Sequence, residues 1–337
     1  MSVSIIVPVY NVAPYVEACL QSVMRQSYTG KMECVVIDDV CTDDSMAIVE
    51  RVIRGYDGPI EFRILHHEQN RGLSAARNTG TLQATGEYLY YIDSDDVISE
   101  ECIEKLMQKA SEDPSIEMVQ GNTCVHTMQK DTRILVKTIY LQNTETNEEA
   151  RKCYYQYKQV IVNVCNKLLR RDFIINHNIF CREGVILEDW LWSFYLLKHL
   201  KKASFMTDVT YLQKERPGSI TTGTDLRKRM EYFRIVYQEI LSNLSPGYEQ
   251  EEFDHHAKWI SRVCIRNIRN GSGNYDVLKL CIEKGRLYGS RHVRLLLSVV
   301  YYLGKFRYSW LVVEPLRKIY KYAKVFRFNV HRVFLKS

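Results

Sequence analysis

Acidic side chains follow an apolar run in the segment EYLYYIDSDD, where Asp93, Asp95 and Asp96 stand close together. In an extended chain, side chains two residues apart point the same way, so Asp93 and Asp95 share one side. Two such carboxylates repel each other unless a cation lies between them, and Mg²⁺ or Mn²⁺ takes oxygen ligands while keeping coordination sites for water and phosphate. The spacing predicts a divalent-cation site, although an Asp-rich surface turn has the same pattern.

A second candidate is the segment NRGLSAARNTG, which contains Gly72 and Gly80. A glycine before a helix lets the backbone approach a ligand, and a helix N-terminus favours anions. Arg71 and Arg77 would add positive charge to a phosphate site. The equal alternative is an ordinary loop in which Arg77 pairs with an internal carboxylate. A Rossmann dinucleotide site and a P-loop NTPase are disfavoured, because neither glycine-rich motif occurs.

Alternating apolar patterns predict the elements that position these residues. Strands are expected over residues 3–9, 33–37, 61–66 and 87–92, and helices over residues 45–56, 74–84 and 100–111. Another helix is expected after Asn11, which would cap it, with Val16, Leu20 and Val23 on its buried face. This order predicts an α/β fold with a mostly parallel sheet flanked by helices. Ligands bind such sheets beyond the carboxyl ends of the strands, where the Asp clusters follow.

Composition and charge bound the protein class. The chain has 337 residues, which favours two domains, and 46% are hydrophobic, which excludes a disordered chain. Residues 1–120 carry 9 Lys and Arg against 20 Asp and Glu (net −11), and residues 121–337 carry 37 against 20 (net +17). The 10 Cys form no CxxC pair, and Cys and His are not grouped at zinc-ligand spacings. The first ten residues match neither a signal peptide nor a membrane span, so we expect a reduced, cytoplasmic protein.

Four ordered segments resemble the family 2 glycosyltransferases with the GT-A fold. They are SIIVPVYN (residues 4–11), CVVIDDVCTDDS (34–45), NRGLSAARNTG with ATGEYLYYIDSDD (70–80 and 84–96) and EGVILEDWLW (183–192). The resemblance covers about residues 1–220 and implies a GT-A catalytic domain there, a nucleotide-binding α/β/α sandwich. Residues 1–120 would bind the nucleotide sugar and residues 121–220 the acceptor. Residues 221–337 would form a mainly helical C-terminal region.

The resemblance also implies roles for individual residues around a nucleotide-diphosphosugar, usually a uridine one, bound with Mn²⁺ or Mg²⁺. Carried over position by position, Pro8 and Tyr10 line the nucleoside pocket, Asp39 binds the base, Gly72 and Arg77 lie along the nucleotide, Ser94 lies near the ribose, Asp93 and Asp95 form the metal pair with Asp95 the direct ligand, and Arg216 and Ser219 match an RxxS element at the diphosphate.

Glu188 and Asp189 resemble the family's ED motif, whose Asp is the catalytic base. A base on the face opposite the leaving nucleotide predicts inversion at the anomeric carbon. Adjacent helical residues point about 100° apart, so only one carboxylate faces the acceptor. The alternative is a helix N-terminus, where two acids suit the helix dipole. Trp190 and Trp192 do not share a helical face, so at least one is expected in the core.

One departure from the family pattern is visible. Val40 and Asp44 replace glycines of the usual DDGSTDGS segment. Because a β-branched residue does not easily adopt a positive φ angle, we expect a different loop beside the base pocket and a less secure uridine preference. Lys167 is expected either to contact phosphate or acceptor or to be a solvated charge.

The second half carries fewer signals. Residues 225–300 predict helices, with Met230, Phe233 and Val236 at helical spacing. Residues 301–337 contain nine basic residues and one acid around a helical apolar stripe, the pattern of a basic amphipathic helix. We therefore expect peripheral attachment to the inner face of the cell membrane and a glycan or lipid-linked glycan acceptor, with a packed C-terminal helix as the alternative. Nucleic acid is not an expected partner, since no binding motif accompanies the charge.

The leading hypothesis is a metal-assisted, inverting hexosyl- or N-acetylhexosaminyltransferase. One alternative is a catalytically inactive GT-A-like scaffold for polysaccharide assembly at the membrane. A sugar nucleotidyltransferase is disfavoured, because residues 8–14 lack the glycine and basic residues that a triphosphate loop needs.

Overall fold

The computed structural model describes residues 1–126, 133–135, 143–158, 160–215, 225–268 and 275–304. The chain divides into two compact units, Met1–Thr224 and Asp225–Ser337. Arg216 and Ser219 of the expected diphosphate element, and residues 305–337 of the expected amphipathic tail, lie outside the described residues.

The first unit is built on one mixed sheet. Its strands are β1 (Ser2–Val9), β2 (Lys31–Asp38), β3 (Glu61–His66), β4 (Tyr88–Tyr91), β5 (Val97–Ile98), β6 (Met118–His126), β7 (Arg133–Leu135), β8 (Lys167–Arg170) and β9 (Ala203–Lys214). The strand order is β3-β2-β1-β4-β8-β6-β9-β5, and β7 pairs with β6. The helices are α1 (Val16–Met24), α2 (Ser45–Arg54), α3 (Leu73–Gln83), α4 (Cys102–Ser111), α5 (Asn147–Tyr155), α6 (Arg171–Asn176) and α7 (Glu188–His199).

The first four strands form a parallel half-sheet, as the alternating pattern predicts. β1 pairs in parallel with both β2 and β4, and β2 pairs in parallel with β3. The continuous apolar runs of β1 and β2 are buried because helices cover both faces of a parallel sheet. The other half-sheet departs from the mostly parallel expectation, since β8 pairs antiparallel with β4 and β6 while β6 and β9 are parallel.

Helix α3 packs very close to the centre of the parallel half-sheet. A Cβ atom at Gly80 would lie 2.4 Å from Ile6 Cγ2 and 2.9 Å from Ile37 Cδ1, so only glycine permits this approach. Gly72 begins the helix with a φ of 86°, in the left-handed region that glycine adopts without strain. Both glycines of the NRGLSAARNTG segment therefore have structural reasons to be glycine.

The expected helix cap at Asn11 is wrong. Helix α1 starts five positions later, at Val16, and Asn11 has a φ of 50°. Its side chain instead binds the loop after β2: Nδ2 donates to Thr42 Oγ1 at 3.0 Å, and Oδ1 accepts from Thr42 N at 2.8 Å. Asn11 therefore fastens two neighbouring strand-end loops together, because its short amide tolerates the left-handed region.

Val40 adopts a positive φ angle, although its β-branched side chain was expected to disfavour one. Val40 has a φ of 63°. Hydrogen bonds on both sides fix this turn: Asp39 N donates to Val9 O at 3.0 Å, and Cys41 N donates to Asp38 Oδ1 at 2.9 Å. The flanking contacts impose a backbone conformation that valine rarely adopts, so the residue is held under strain.

The second unit consists of helices over its described residues. They are α8 (Leu226–Ser242), α9 (Glu249–Ile268), α10 (Tyr275–Tyr288) and α11 (Arg291–Gly304). Met230, Phe233 and Val236 of α8 are buried, as their helical spacing predicts. Within the described ranges, no helix has both the length and the apolar character needed to cross a bilayer.

The strain at Val40 gives a stability prediction. We expect Val40→Gly to raise the free energy of unfolding by about 1 kcal/mol, because left-handed backbone costs an L-residue about 1–2 kcal/mol and glycine flexibility returns only part of that. Urea denaturation followed by circular dichroism measures the change. Val209→Gly is the matched control, since Val209 is 40% exposed and has no positive φ. A Val40→Gly protein that loses as much stability as the control would contradict the strain.

Candidate functional site

The Asp93–Asp96 turn follows β4 and is fastened to β9 by its last residue. Asp96 N donates to Asp93 O at 3.0 Å, which closes the turn. The Asp96 side chain is buried and accepts from Tyr211 Oη at 2.7 Å and from Lys214 N at 2.8 Å. The Tyr211 hydroxyl also accepts from Asp93 N at 3.2 Å. Of the three acids, Asp96 therefore supports the turn from inside the protein.

Asp93 and Asp95 are the acids of this turn that reach solvent. Asp93 is 33% exposed and Asp95 is half-buried, whereas Ser94 is buried. Burial, followed by the negative charges of Asp93 and Asp95, raises the pKa of Asp96 to about 8. A cation bound beside Asp93 and Asp95 would relieve the repulsion among these carboxylates.

The side chains of Asp93 and Asp95 fit a divalent cation that prefers oxygen ligands. Asp93 and Asp95 offer oxygen ligands, which suit Mg²⁺ or Mn²⁺. Across the described residues, no group of three or more His, Cys, Asp and Glu side chains is arranged to hold a metal ion. Two carboxylates match the type of magnesium site in which waters and substrate phosphates supply the remaining ligands.

Arg77 of α3 lies at the centre of the candidate site. Its guanidinium is 2% exposed. Nη2 donates to Asp93 Oδ1 at 2.8 Å, Nη1 donates to Glu188 Oε1 at 2.8 Å, and Nη1 lies 3.5 Å from Asp189 Oδ1. The structure therefore brings the two acidic motifs together around one cation. In the described contacts, Arg77 pairs with internal carboxylates, which is the alternative that the sequence left open for it.

Glu188 and Asp189 form the first turn of α7. The preceding residue, Leu187, has a left-handed φ of 70° and offers no side-chain cap. Glu188 is buried, whereas the Asp189 side chain is 31% exposed and its Oδ1 accepts from Val164 N at 3.2 Å. Glu188 thus faces the protein interior and Asp189 faces solvent, as their angular separation of about 100° on a helix predicts. The helix N-terminus also favours both charges.

The environment of Asp189 shifts its titration. Burial is the largest cause that raises the pKa of Asp189, to about 7, and the Glu188 carboxylate adds to it. Arg77 and Lys167 act in the opposite direction without cancelling the burial. A carboxyl group with a raised pKa holds a proton more readily than an ordinary Asp, which suits a group that must accept one.

Asp39 organises the loop that leads into α3. Its carboxylate accepts from Arg71 N at 2.8 Å, from Gly72 N at 2.7 Å and, at 2.7 Å, lies against Nδ1 of His67. His67 Nε2 in turn lies 2.9 Å from Thr79 Oγ1. Asp39 is 2% exposed, so the geometry shows a support for the Gly72 turn. Contact with a nucleotide base stays a prediction.

The other predicted nucleoside residues lie at the same edge of the sheet. Tyr10 follows β1 and is 46% exposed, and Pro8 is buried within β1. Because β1 lies between β2 and β4, the residues that follow these strands meet at one edge. Tyr10, Asp39 and Asp93 therefore lie at neighbouring strand ends, where an α/β sheet binds ligands.

Lys167 is neither a solvated charge nor an exposed ligand contact. It is fully buried, and its Nζ donates to Asn163 O and Oδ1, both at 2.7 Å. Burial lowers the pKa of Lys167 to about 7, while the charge of Asp189 raises it. Lys167 thereby fixes the loop whose Val164 N–H binds Asp189.

The remaining aromatic expectation agrees with the structure. Trp192 is 1% exposed and belongs to the core, whereas Trp190 is half-buried. The segment before α7 is held to α3 and to the loop before it: Asn78 of α3 donates Nδ2 to Cys181 O at 2.8 Å, and Arg71 of the loop pairs with Glu183 at 3.0 Å. Sequence reasoning missed this connection and the supporting roles of His67, Asp96 and Tyr211, because their partners are distant in the chain.

Curated glycosyltransferases are similar to this chain over much of its length. The chain is 27% identical over 229 residues to an uncharacterized glycosyltransferase, EpsJ, of Bacillus subtilis, with 65% of this chain and 62% of the relative covered. It is 28% identical over 259 residues to the glycosyltransferase GlyG of Streptococcus pneumoniae, with 73% and 82% covered. The chain thus spans less than two thirds of EpsJ.

Solved structures share the fold. S. aureus TarS residues 1–349, in complex with UDP-GlcNAc, superposes with a TM-score of 0.64 at 21% identity, covering 90% of each chain. The mannosyltransferase PcManGT of Pyrobaculum calidifontis, in complex with GDP-Man and Mn²⁺, superposes with a TM-score of 0.55 at 17% identity, covering 91% of this chain and 81% of the other. The fold class expected from the sequence, GT-A, is confirmed.

A sequence model of one family covers the site up to α6. The model described as glycosyl transferase family 2 matches residues 4–177, which is more than half of the chain and includes Asp39, Arg77, Asp93 and Asp95. The chain therefore belongs to glycosyl transferase family 2.

Proposed function

We propose that this protein is an inverting glycosyltransferase that moves a sugar from a nucleotide-diphosphosugar, a UDP-sugar, to a hydroxyl group of an acceptor, with Asp189 as the general base. The observation that carries the proposal is the meeting of Asp93 and Asp189 at one guanidinium, that of Arg77. A donor phosphate near Asp93 and an acceptor hydroxyl near Asp189 would then be separated by little more than one sugar ring.

The donor half of the site would be formed by the strand-end residues. Tyr10 offers an exposed ring at the sheet edge, and the Gly72 turn has open space where a Cβ atom would lie. Asp93 and Asp95 would hold a Mn²⁺ or Mg²⁺ ion, which, when bound, supplies positive charge for the leaving diphosphate. UDP-GlcNAc is bound by TarS and GDP-Man by PcManGT, so the fold alone does not choose the base. The family resemblance as a whole favours uridine, whereas the departures at Val40 and Asp44 weaken that preference.

The chain's own groups permit a single displacement. Asp189 accepts the proton of the acceptor hydroxyl, whose oxygen forms a bond to the anomeric carbon. The bond from that carbon to the diphosphate oxygen breaks on the opposite face, and the nucleoside diphosphate keeps the electron pair. Attack and departure on opposite faces invert the anomeric centre. Val164 N–H and Arg77 orient the Asp189 carboxylate throughout.

The acceptor proposal rests on the family and on chain chemistry. We propose a glycan or lipid-linked glycan acceptor, a hexosyl or N-acetylhexosaminyl group as the transferred sugar, and contact of residues 301–337 with an anionic membrane surface on the cytoplasmic side. The basic character of that tail supports the last point. An inactive scaffold is the rival, and the intact set of Asp93, Asp95 and Asp189 favours the enzyme.

Replacing the proposed base tests the chemistry. We expect Asp189→Asn to lower kcat by about 10²–10⁴-fold, the usual contribution of a general base, with UDP binding retained. The measurement is UDP released from a panel of UDP-sugars, with water or added glycan as acceptor. Asp208→Asn is the matched control, because Asp208 pairs with Lys105 on α4 and lies outside the site. A scaffold would instead keep its function in cells with Asp189→Asn.

The raised pKa of Asp189 predicts the pH dependence of the rate. The base acts only when deprotonated, so kcat should rise with pH and level off above about 7, well above the usual titration range of Asp. Below that inflection, the rate should fall about tenfold for each pH unit. Measuring UDP release between pH 5 and 9 gives the profile. A rate that stays constant down to about pH 5 would rule out a catalytic base with a raised pKa.

The donor half is tested by nucleotide binding without turnover. We expect UDP to bind more tightly with Mn²⁺ than without it. Asp93 and Asp95 supply too few ligands to complete the coordination of the ion, so the phosphates of UDP would supply others. Asp95→Ala should remove the Mn²⁺ effect. Titration calorimetry with UDP, GDP, CDP and dTDP measures both points, with Asp113→Ala as the control at an exposed acid that pairs with Lys202. Equal UDP binding by wild type and Asp95→Ala would contradict this site.

A further inference from the structure

Arg77 is a buried cation whose hydrogen-bonding groups point at two separate motifs. Besides the carboxylates already described, Nη2 lies 3.9 Å from Cys165 Sγ. Its side chain is 2% exposed. Four neighbours, Asp93, Cys165, Asp189 and Glu188, raise the pKa of Arg77 well above its usual range although burial acts to lower it. The guanidinium is therefore held inside the protein as a permanent positive charge.

The two motifs depend on this charge in different ways. Asp93 follows a central strand, whereas Glu188 and Asp189 start α7, about a hundred residues later in the chain. In the described structure, the start of α7 has no side-chain cap, and Leu187 before it is left-handed. The contacts with Arg77 thus supply a tether that the local backbone does not. A planar guanidinium fork fixes both distance and direction, which a single ammonium group does not.

We propose that Arg77 is a positioning residue for glycosyl transfer, which holds Asp93 on the donor side and Asp189 on the acceptor side at a fixed separation without touching the nucleotide. This inference rests on the proposed function. It differs from the role that the family resemblance implies for Arg77, a place along the nucleotide. The two roles make opposite statements about donor binding, so one pair of measurements separates them.

The experiment compares Arg77→Lys and Arg77→Met with wild type. Because a misplacement of about 1 Å can cost about 100-fold in rate, we expect kcat for UDP release to fall by about 100-fold in Arg77→Met and less in Arg77→Lys. The dissociation constant of UDP with Mn²⁺, measured by calorimetry, should stay within about threefold of wild type. Loss of UDP binding in Arg77→Met would overturn the proposal and assign the residue to the nucleotide.

Arg63→Met is the matched control for a general loss of stability. Arg63 pairs with the buried Glu33 at 2.9 Å, away from the site. Although burial raises it, hydrogen bonds from Ser4, Thr85 and Arg63 lower the pKa of Glu33 to about 2, so this pair is also charged. We expect Arg63→Met to lower the thermal midpoint while leaving kcat unchanged. Equal loss of kcat in both Met variants would show a merely structural effect.

A second readout follows the Asp189 carboxyl group directly. The titratable groups that act on Asp189 or respond to it are Glu188, Arg77, Asp93, Lys167, Cys165 and Cys181. Since Arg77 lowers the pKa of Asp189, its removal should move that pKa upward by about one to three units. Carbon-13 NMR of labelled Asp, assigned with Asp189→Asn, measures the shift, and the kcat profile should move with it. An unchanged titration would contradict the contact.

Two arrangements keep the test decisive. If Arg77→Met does not fold, as circular dichroism would show, Arg77→Met with Glu188→Gln removes one buried charge of each sign and keeps the side-chain volumes. We expect this double variant to fold and still to lose kcat, and wild-type kcat in it would overturn the proposal. If wild type releases UDP from no donor, the proposed function fails, whereas the NMR titration still tests the role of Arg77.

Discussion

The candidate site depends on one buried cation, the guanidinium of Arg77. A charge taken out of water is stable only when paired and hydrogen-bonded, and breaking such a pair costs about 3–5 kcal/mol. Three carboxylates from two distant segments supply that pairing. In return, their mutual repulsion is reduced by the same group. The residues that follow β4 and the first turn of α7 are consequently fixed to each other through Arg77 of α3, which lies between Gly72 and Gly80.

The other supports of the site follow the same principle with single buried carboxylates. Asp39 accepts the backbone N–H groups of Arg71 and Gly72, and Asp96 accepts from Tyr211 and Lys214. In each case a buried carboxylate satisfies groups of a neighbouring loop, which would otherwise be costly to bury. The Asp39 bonds connect the loops that follow β2 and β3, and the Asp96 bonds connect the turn after β4 to β9. The strand ends therefore form a connected rim and not a set of independent loops.

Sequence patterns predicted the parallel half-sheet well, because buried parallel strands are continuous apolar runs that need no knowledge of their partners. Both ends of strand 61–66 agree with the prediction, and the helix that contains Arg77 begins and ends one residue earlier than predicted. The strand-end position of the acids followed from the same pattern. The left-handed φ of Val40 was not predictable from its side chain, because the flanking hydrogen bonds to Val9 and Asp38 decide it.

The rest required three-dimensional contacts. Asp93, Asp95 and Asp96 look alike in sequence, and only Tyr211, more than a hundred residues later, makes Asp96 the internal one. Lys167 carries a charge that sequence statistics assign to the surface, yet the carbonyl and amide oxygens of Asn163 allow its burial.

The polar residues of the site fall into two groups, one that reaches solvent and one that is buried and positions the first. The residues that reach solvent are Tyr10, Asp93, Asp95 and Asp189, and the residues that hold them are buried: Asp39, Arg77, Asp96, Lys167 and Glu188. The exposed set has the chemistry that a donor and an acceptor require. The buried set has the same residue types, so side-chain type alone does not separate a group that reacts from a group that positions it. Burial and partners separate them, since a carboxylate that already accepts internal hydrogen bonds has fewer lone pairs left for a substrate.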